Sequence, residues 1–264
     1  MSPAESWTLR KSSASNYNGS IVPFLRRYSR LPGPLGVCLL VLLAGACNGG
    51  VDKPGDQAAS QRGPQTPADA PAPRTDDERP KIAILGDSLT AGLGLLDTQS
   101  YPHLLQKKID ADGFRYEVIN AGVSGDTSAG GLRRLDWALQ EDVRVLIVAL
   151  GANDGLRGLS VSEMKHNLRQ IIETARAKHV IVILAGMEAP PNYGAEYASS
   201  FRQAYRELAL QDRVLFIPFL LDKVAGQATL NQADGIHPNP QGAEIVADTV
   251  WNVLKPLLDQ LSVS

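Results

Sequence analysis

The sequence predicts a three-layer α/β/α domain over residues 81–264, built on a parallel sheet of five strands. Three observations predict it. Five short β-rich runs recur through that stretch, and segments of helical period separate them. Three of the runs are nearly continuous in Val, Ile and Leu, the pattern of parallel strands covered on both faces. The prolines mark where the domain begins, since ten of the 17 fall in residues 1–80.

The strand runs are 81–85 (KIAIL), 116–119 (YEVI), 143–150 (VRVLIVAL), 180–184 (VIVIL) and 214–217 (VLFI). Met164, Leu168, Ile171, Ile172 and Ala175 repeat at three and four and predict a helix between the third and fourth strands. Val246, Val250, Val253, Leu257 and Leu261 predict another at the C-terminus. Asn239 followed by Pro240 makes a cap and first turn for that last helix.

Composition bounds the function class. At 44% hydrophobic, 20% charged and net charge -2, the chain is neither collagen-like nor polytopic in a membrane, and it gives no electrostatic reason for a nucleic-acid partner. Both cysteines, Cys38 and Cys47, precede the domain, which excludes thiol chemistry and cysteine metal ligands from it.

Residues 1–46 read as an export signal: Arg26, Arg27 and Arg30 precede an apolar run at 35–44 that ends in Gly45-Ala46-Cys47. The run is too short to span a bilayer, which takes about 20 apolar residues. The 34 residues ahead of it contain no second Met and are long for such a signal, pointing to a downstream non-Met start codon. Ala46-Cys47 resembles a bacterial lipobox, and we read Cys47 as lipidated. The alternative is ordinary signal-peptidase cleavage, which Ala44-Gly45-Ala46 also satisfies. Residues 47–80 then form a Pro-rich spacer with no aromatic residue and Val51 as the one large aliphatic side chain. Such a segment cannot bury enough apolar surface to offset its ordering entropy. The expected location is the bacterial periplasm, with membrane attachment through Cys47.

In a doubly wound domain reactive groups lie past the carboxyl ends of the strands. There the first strand runs into Gly86-Asp87-Ser88-Leu89-Thr90, with Ser88 at a strand-to-helix turn. A lone serine at such a turn is usually a cap. The position two after it is Thr90, so this is not the G-x-S-x-G elbow of α/β-hydrolases. The second strand leads into a glycine-rich loop, 120–127, and the third into Gly151-Ala152-Asn153-Asp154-Gly155. His237 lies on the loop before the last helix, and Asp234 three residues earlier can reach its imidazole and fix the tautomer. His103, His166 and His179 fall in or beside helical patterns and read as surface residues.

Gly86-Asp87-Ser88-Leu89, Gly125, Gly151-Ala152-Asn153-Asp154 and Asp234-Gly235-Ile236-His237 resemble the four blocks of the SGNH (GDSL) hydrolase family. The resemblance covers 81–258 and is closest to its bacterial arylesterase, thioesterase and lysophospholipase group. It implies a flavodoxin-like fold and a serine esterase acting on aryl or acyl esters, with thioesters or lysophospholipids as alternative substrates. By it, Ser88 is the nucleophile, His237 the general base and Asp234 the orienting carboxylate. The oxyanion hole is the N–H of Ser88, the N–H of Gly125 and the side-chain amide of Asn153. Asp87 and Asp154 would fix loops, and Leu156, Leu159, Pro190 and Tyr193 would contact the acyl chain. No metal or cofactor is implied. A flavodoxin-like domain binding FMN or phosphate through the Ser88/Thr90 loop, or a non-catalytic surface lipoprotein, leaves Asp234, His237 and Asn153 without a task.

Overall fold

The computed structural model describes residues 79–140 and 142–263. The export signal, Cys47 and nearly all of the spacer expected from the sequence lie outside them.

Five strands, β1 (Lys81–Gly86), β2 (Glu117–Gly122), β3 (Val143–Ala149), β4 (Ile181–Ala185) and β5 (Leu215–Ile217), form one parallel sheet in the order β2-β1-β3-β4-β5. The chain leaves β1 for one neighbour, β2, and crosses back over it to the other, β3. The carboxyl end of β1 is therefore the point where the winding reverses, the place where open α/β sheets form their crevice.

Burial follows from the sequence of each strand. From Ile82 to Leu85 in β1 and from Val145 to Val148 in β3 every residue is fully buried, as continuous aliphatic runs require when both faces are covered. One face is covered by α2 (Tyr101–Ala111) and α8 (Pro240–Ser262), which pack on each other. A second helical layer is formed by α3 (Ser128–Arg133), α6 (Val161–Ala177) and α7 (Ala195–Gln211), packed in series. Three short helices, α1 (Ser88–Ala91), α4 (Leu135–Ala138) and α5 (Ala152–Leu156), complete the connections.

The five predicted residues of α6 are all buried. In α8, Val246, Val250 and Leu257 are buried as expected, but Leu254 and Leu258 take the deep positions, and Val253 and Leu261 are only partly buried against the core. At about 100° per residue Leu254 and Leu258 fall within the face shared by Val246, Val250 and Leu257, whereas Val253 falls at its edge and Leu261 lies in the last turn.

Two segments expected to be loop are ordered elements. β2 continues through Asn120, Ala121 and Gly122 because Ile84, Leu85 and Gly86 of β1 pair with them, and strand pairing overrides their low β propensity. Gly122 is required by close approach: a Cβ there would lie 2.3 Å from the Ala91 backbone nitrogen. Past β3, Ala152-Asn153-Asp154-Gly155-Leu156 winds into α5.

Candidate active site

Asp87 creates the turn that presents Ser88. Its carboxylate accepts the Leu89 N–H at 3.0 Å and caps α1, so Ser88 occupies the first helical position directly past β1. On the other side of the crevice, Gly235 takes φ +76° between Asp234 and His237. The backbone N–H groups of Ile236 and His237 both donate to Asp234 Oδ1 at 3.0 Å. This tight loop leaves the second carboxylate oxygen facing the imidazole.

The three side chains form a continuous chain: Ser88 Oγ lies 2.8 Å from His237 Nε2, and His237 Nδ1 lies 2.7 Å from Asp234 Oδ2. A carboxylate can only accept, so the Nδ1 proton points to Asp234 and the Nε2 lone pair faces the serine hydroxyl. The imidazole is 14% exposed and the Asp234 carboxyl 45%. The N–H of His237, the N–H of Ile236 and the imidazole together pull the Asp234 carboxyl down to about pKa 2.

Asp87 has the opposite character. It is almost fully buried, and burial pushes its carboxyl up to about 6, against the Leu89 N–H, the His237 charge and the Asn153 amide that pull it down. Asn153 Nδ2 donates to Asp126 O at 3.0 Å and to Asp87 Oδ2 at 3.3 Å. Among the described residues, neither the Ser88 N–H nor the Gly125 N–H has a protein acceptor. Gly125 stands at φ +82°, a left-handed turn that non-glycine residues rarely adopt. Asp154 fixes the next layer, accepting the Ser128 N–H at 2.8 Å and the Ser128 hydroxyl at 2.6 Å.

The sequence-predicted residues thus divide. Ser88, His237, Asp234 and Asn153 converge on the crevice, with Gly125 in the turn beside Asp126. Leu156, Leu159 and Tyr193 are exposed but held together: Tyr193 Oη donates to Leu156 O at 3.1 Å, and Tyr197 Oη donates to Leu159 O at 2.8 Å. Pro190 precedes the turn Pro191–Tyr193. None of these four lines the small apolar cavity that touches both Ser88 and His237. Leu89, Leu93, Leu95, Leu221, Pro238 and Val246 enclose about 10 Å³ there, space for one water or methyl group.

The polar side chains that tie these loops down carry no mark in the sequence. Gln232 Nε2 donates to Leu93 O at 2.7 Å and Pro238 O at 2.9 Å, joining the segment after α1 to the histidine loop. Arg157 Nη2 donates to Gly125 O at 2.9 Å. Single long polar residues carry no periodicity or spacing that would single them out. His103 lies 3.8 Å from an exposed Asp97, and His166 and His179 are exposed. Among the described residues no group of three or more His, Cys, Asp or Glu side chains is arranged to hold a metal ion.

Residues 84–245 match the GDSL-like lipase/acylhydrolase family. The chain is 43% identical over 178 residues to the esterase TesA of Pseudomonas aeruginosa, covering 67% of this chain and 89% of that one. It is 37% identical over 179 residues to thioesterase 1/protease 1/lysophospholipase L1 of Escherichia coli K12, covering 67% and 85%. Among solved structures, the psychrotrophic esterase EstA of Pseudoalteromonas sp., inhibited by monoethylphosphonate, superimposes with a TM-score of 0.65 at 36% identity, covering 68% of this chain and 98% of that one.

Proposed function

The chain belongs to the GDSL-like lipase/acylhydrolase family and is a carboxylic ester hydrolase, and from that premise we propose that Ser88 is its nucleophile, His237 its general base and Asp234 the carboxylate that orients the imidazole. The observation that carries this reading is the unbroken Ser88–His237–Asp234 chain at 2.8 and 2.7 Å. Ser88 Oγ attacks the acyl carbonyl carbon while Nε2 takes its proton, and Asp234 stabilises the imidazolium that results. The carbonyl oxygen becomes negative and is met by the N–H groups of Ser88 and Gly125 and by Asn153 Nδ2, which exchanges its longer bond to Asp87 Oδ2 for the oxyanion while keeping the one to Asp126 O. The bond to the leaving group then breaks, Nε2 returns the proton to the departing oxygen, and the acyl group stays on Ser88. Water, deprotonated by His237, attacks the acyl-serine and releases the acid.

The substrate is a small aryl or acyl ester. The exposed Leu156, Leu159 and Tyr193, with the half-buried Pro190, supply apolar contact for the acyl chain. The E. coli relative, a thioesterase and lysophospholipase, supports thioesters or lysophospholipids as the alternative. A rate panel over p-nitrophenyl esters, acyl-CoAs and lysophospholipids separates them by kcat/KM, a tenfold preference being about 1.4 kcal/mol. With the preferred substrate, Ser88→Ala should lose at least about 10⁴-fold in kcat. More than one-hundredth of the wild-type rate in that variant overturns the assignment.

Export and membrane attachment complete the proposal. The signal of residues 1–46 directs the chain to the periplasm, and acylation of Cys47 holds the domain at the membrane through the spacer at 47–80. Fractionation of expressing cells tests this: the wild-type chain should be in the membrane fraction and Cys47→Ser in the soluble one. Equal distribution of the two contradicts it.

A further inference from the structure

We propose that Arg134 is a positioning residue of the oxyanion hole, which it fixes by clamping the Gly125 loop to the carboxyl ends of two strands. The inference rests on the assignment of Gly125 and Asn153 as oxyanion donors given above.

Arg134 follows α3, and its side chain is only 18% exposed. The guanidinium reaches three acceptors on three separate segments. Nη2 donates to Gly86 O at the end of β1 at 2.8 Å, and Nη1 donates to Ala121 O in β2 at 2.7 Å. Nε donates at 2.6 Å to Oδ2 of Asp126, the residue after Gly125. Strand pairing between β1 and β2 ends at Gly86 opposite Gly122, so the guanidinium bridges the two strands where their ladder stops.

Every proposed donor is attached to something this cation holds. Ser88 is two residues past Gly86. Gly125 directly precedes Asp126, whose own N–H donates to Val123 O at 3.0 Å. The Asn153 amide donates to Asp126 O at 3.0 Å. The Asp126 carboxylate is 13% exposed, and a buried charge needs a partner and satisfied hydrogen bonds. Three planar donors aimed at three acceptors meet that need in one way. A lysine ammonium on a flexible stem cannot reproduce the fork.

Oxyanion donors act where charge develops, and their effect depends on distances fixed before the reaction. Loosening them weakens the transition state more than the ground state. Arg134 therefore acts on kcat rather than on substrate binding, although it touches neither substrate nor reacting atoms.

The test compares wild type, Arg134→Lys, Arg134→Ala and, as a neighbouring control, Arg133→Lys, Arg133 being exposed on α3. Each is measured with p-nitrophenyl acetate and with an aryl boronic acid as a tetrahedral analogue, after thermal melting confirms a folded protein. In the Arg134 variants kcat should fall about 10- to 100-fold, KM should stay within threefold, and the boronic acid should weaken by the same factor as kcat/KM. Arg133→Lys should match wild type. If Arg134→Ala fails to fold, Arg134→Lys and Asp126→Asn carry the test with the same expected kcat-selective loss. A folded Arg134→Lys with kcat within twofold of wild type, or a loss confined to KM, overturns the inference. If Ser88→Ala is inert in parallel, only this inference falls; if Ser88→Ala stays active, the site assignment falls and takes the inference with it.

Discussion

Two carboxylates near Ser88 and His237 are tuned in opposite directions, each by its own surroundings. Asp234 is held ionised by two backbone N–H groups and the imidazole, which lower its carboxyl to about pKa 2. Asp87, next to Ser88, is buried and raised from 3.8 to about 6. Its folded state binds a proton more tightly than the unfolded chain, so its contribution to stability is fully present below pH 4 and is lost as pH rises through about 6. Between pH 4.5 and 7.5 this amounts to about 2 kcal/mol. Asp87→Asn carries no such titration. Urea unfolding of both proteins at the two pH values should show the wild type losing about 2 kcal/mol relative to the variant on going to pH 7.5. An unchanged difference between the two proteins contradicts the buried-charge account.

At the scale of elements, the sequence was most legible where burial is complete and least where pairing decides. Aliphatic runs marked β1 and β3 to within a residue, because a strand covered on both faces has no polar side to conceal. The C-terminal helix was marked by its cap, and Asn239 Oδ1 does accept the Gly242 N–H at 3.0 Å, an interaction typically worth about 1 kcal/mol. The last three residues of β2 were not legible: Asn-Ala-Gly is a turn sequence by propensity, and only the register with β1 makes it a strand. The same limit applies at the site. Ser88, His237, Asp234 and Asn153 could be singled out because short sequence blocks place them at strand ends and loop turns, and the resemblance to the SGNH blocks supplied their expected roles. Arg134, Gln232 and Asp87's burial could not, since each depends on contacts between segments distant in sequence. Arg134 joins residues 13 and 48 positions away.

For the molecule as a whole, the winding order explains the position of the chemistry. The winding reverses at β1 while all strands stay parallel, so the loops after β1, β2 and β3 open onto one crevice, and the loop before α8 brings His237 to it. The described domain contains no cysteine and is stabilised by one continuous core drawn from all five strands and from α2, α6, α7 and α8. That rigid base carries short, tightly bonded loops, which is the arrangement a preorganised site needs. We place the nucleophile at the reversal point, on Ser88. Treating the protein with a fluorophosphonate and mapping the adduct by mass spectrometry tests this most directly. One phosphonyl group per chain is expected on the peptide containing Ser88, formed in step with loss of esterase activity. Complete inactivation with Ser88 unmodified, or with the adduct on another serine, would contradict it.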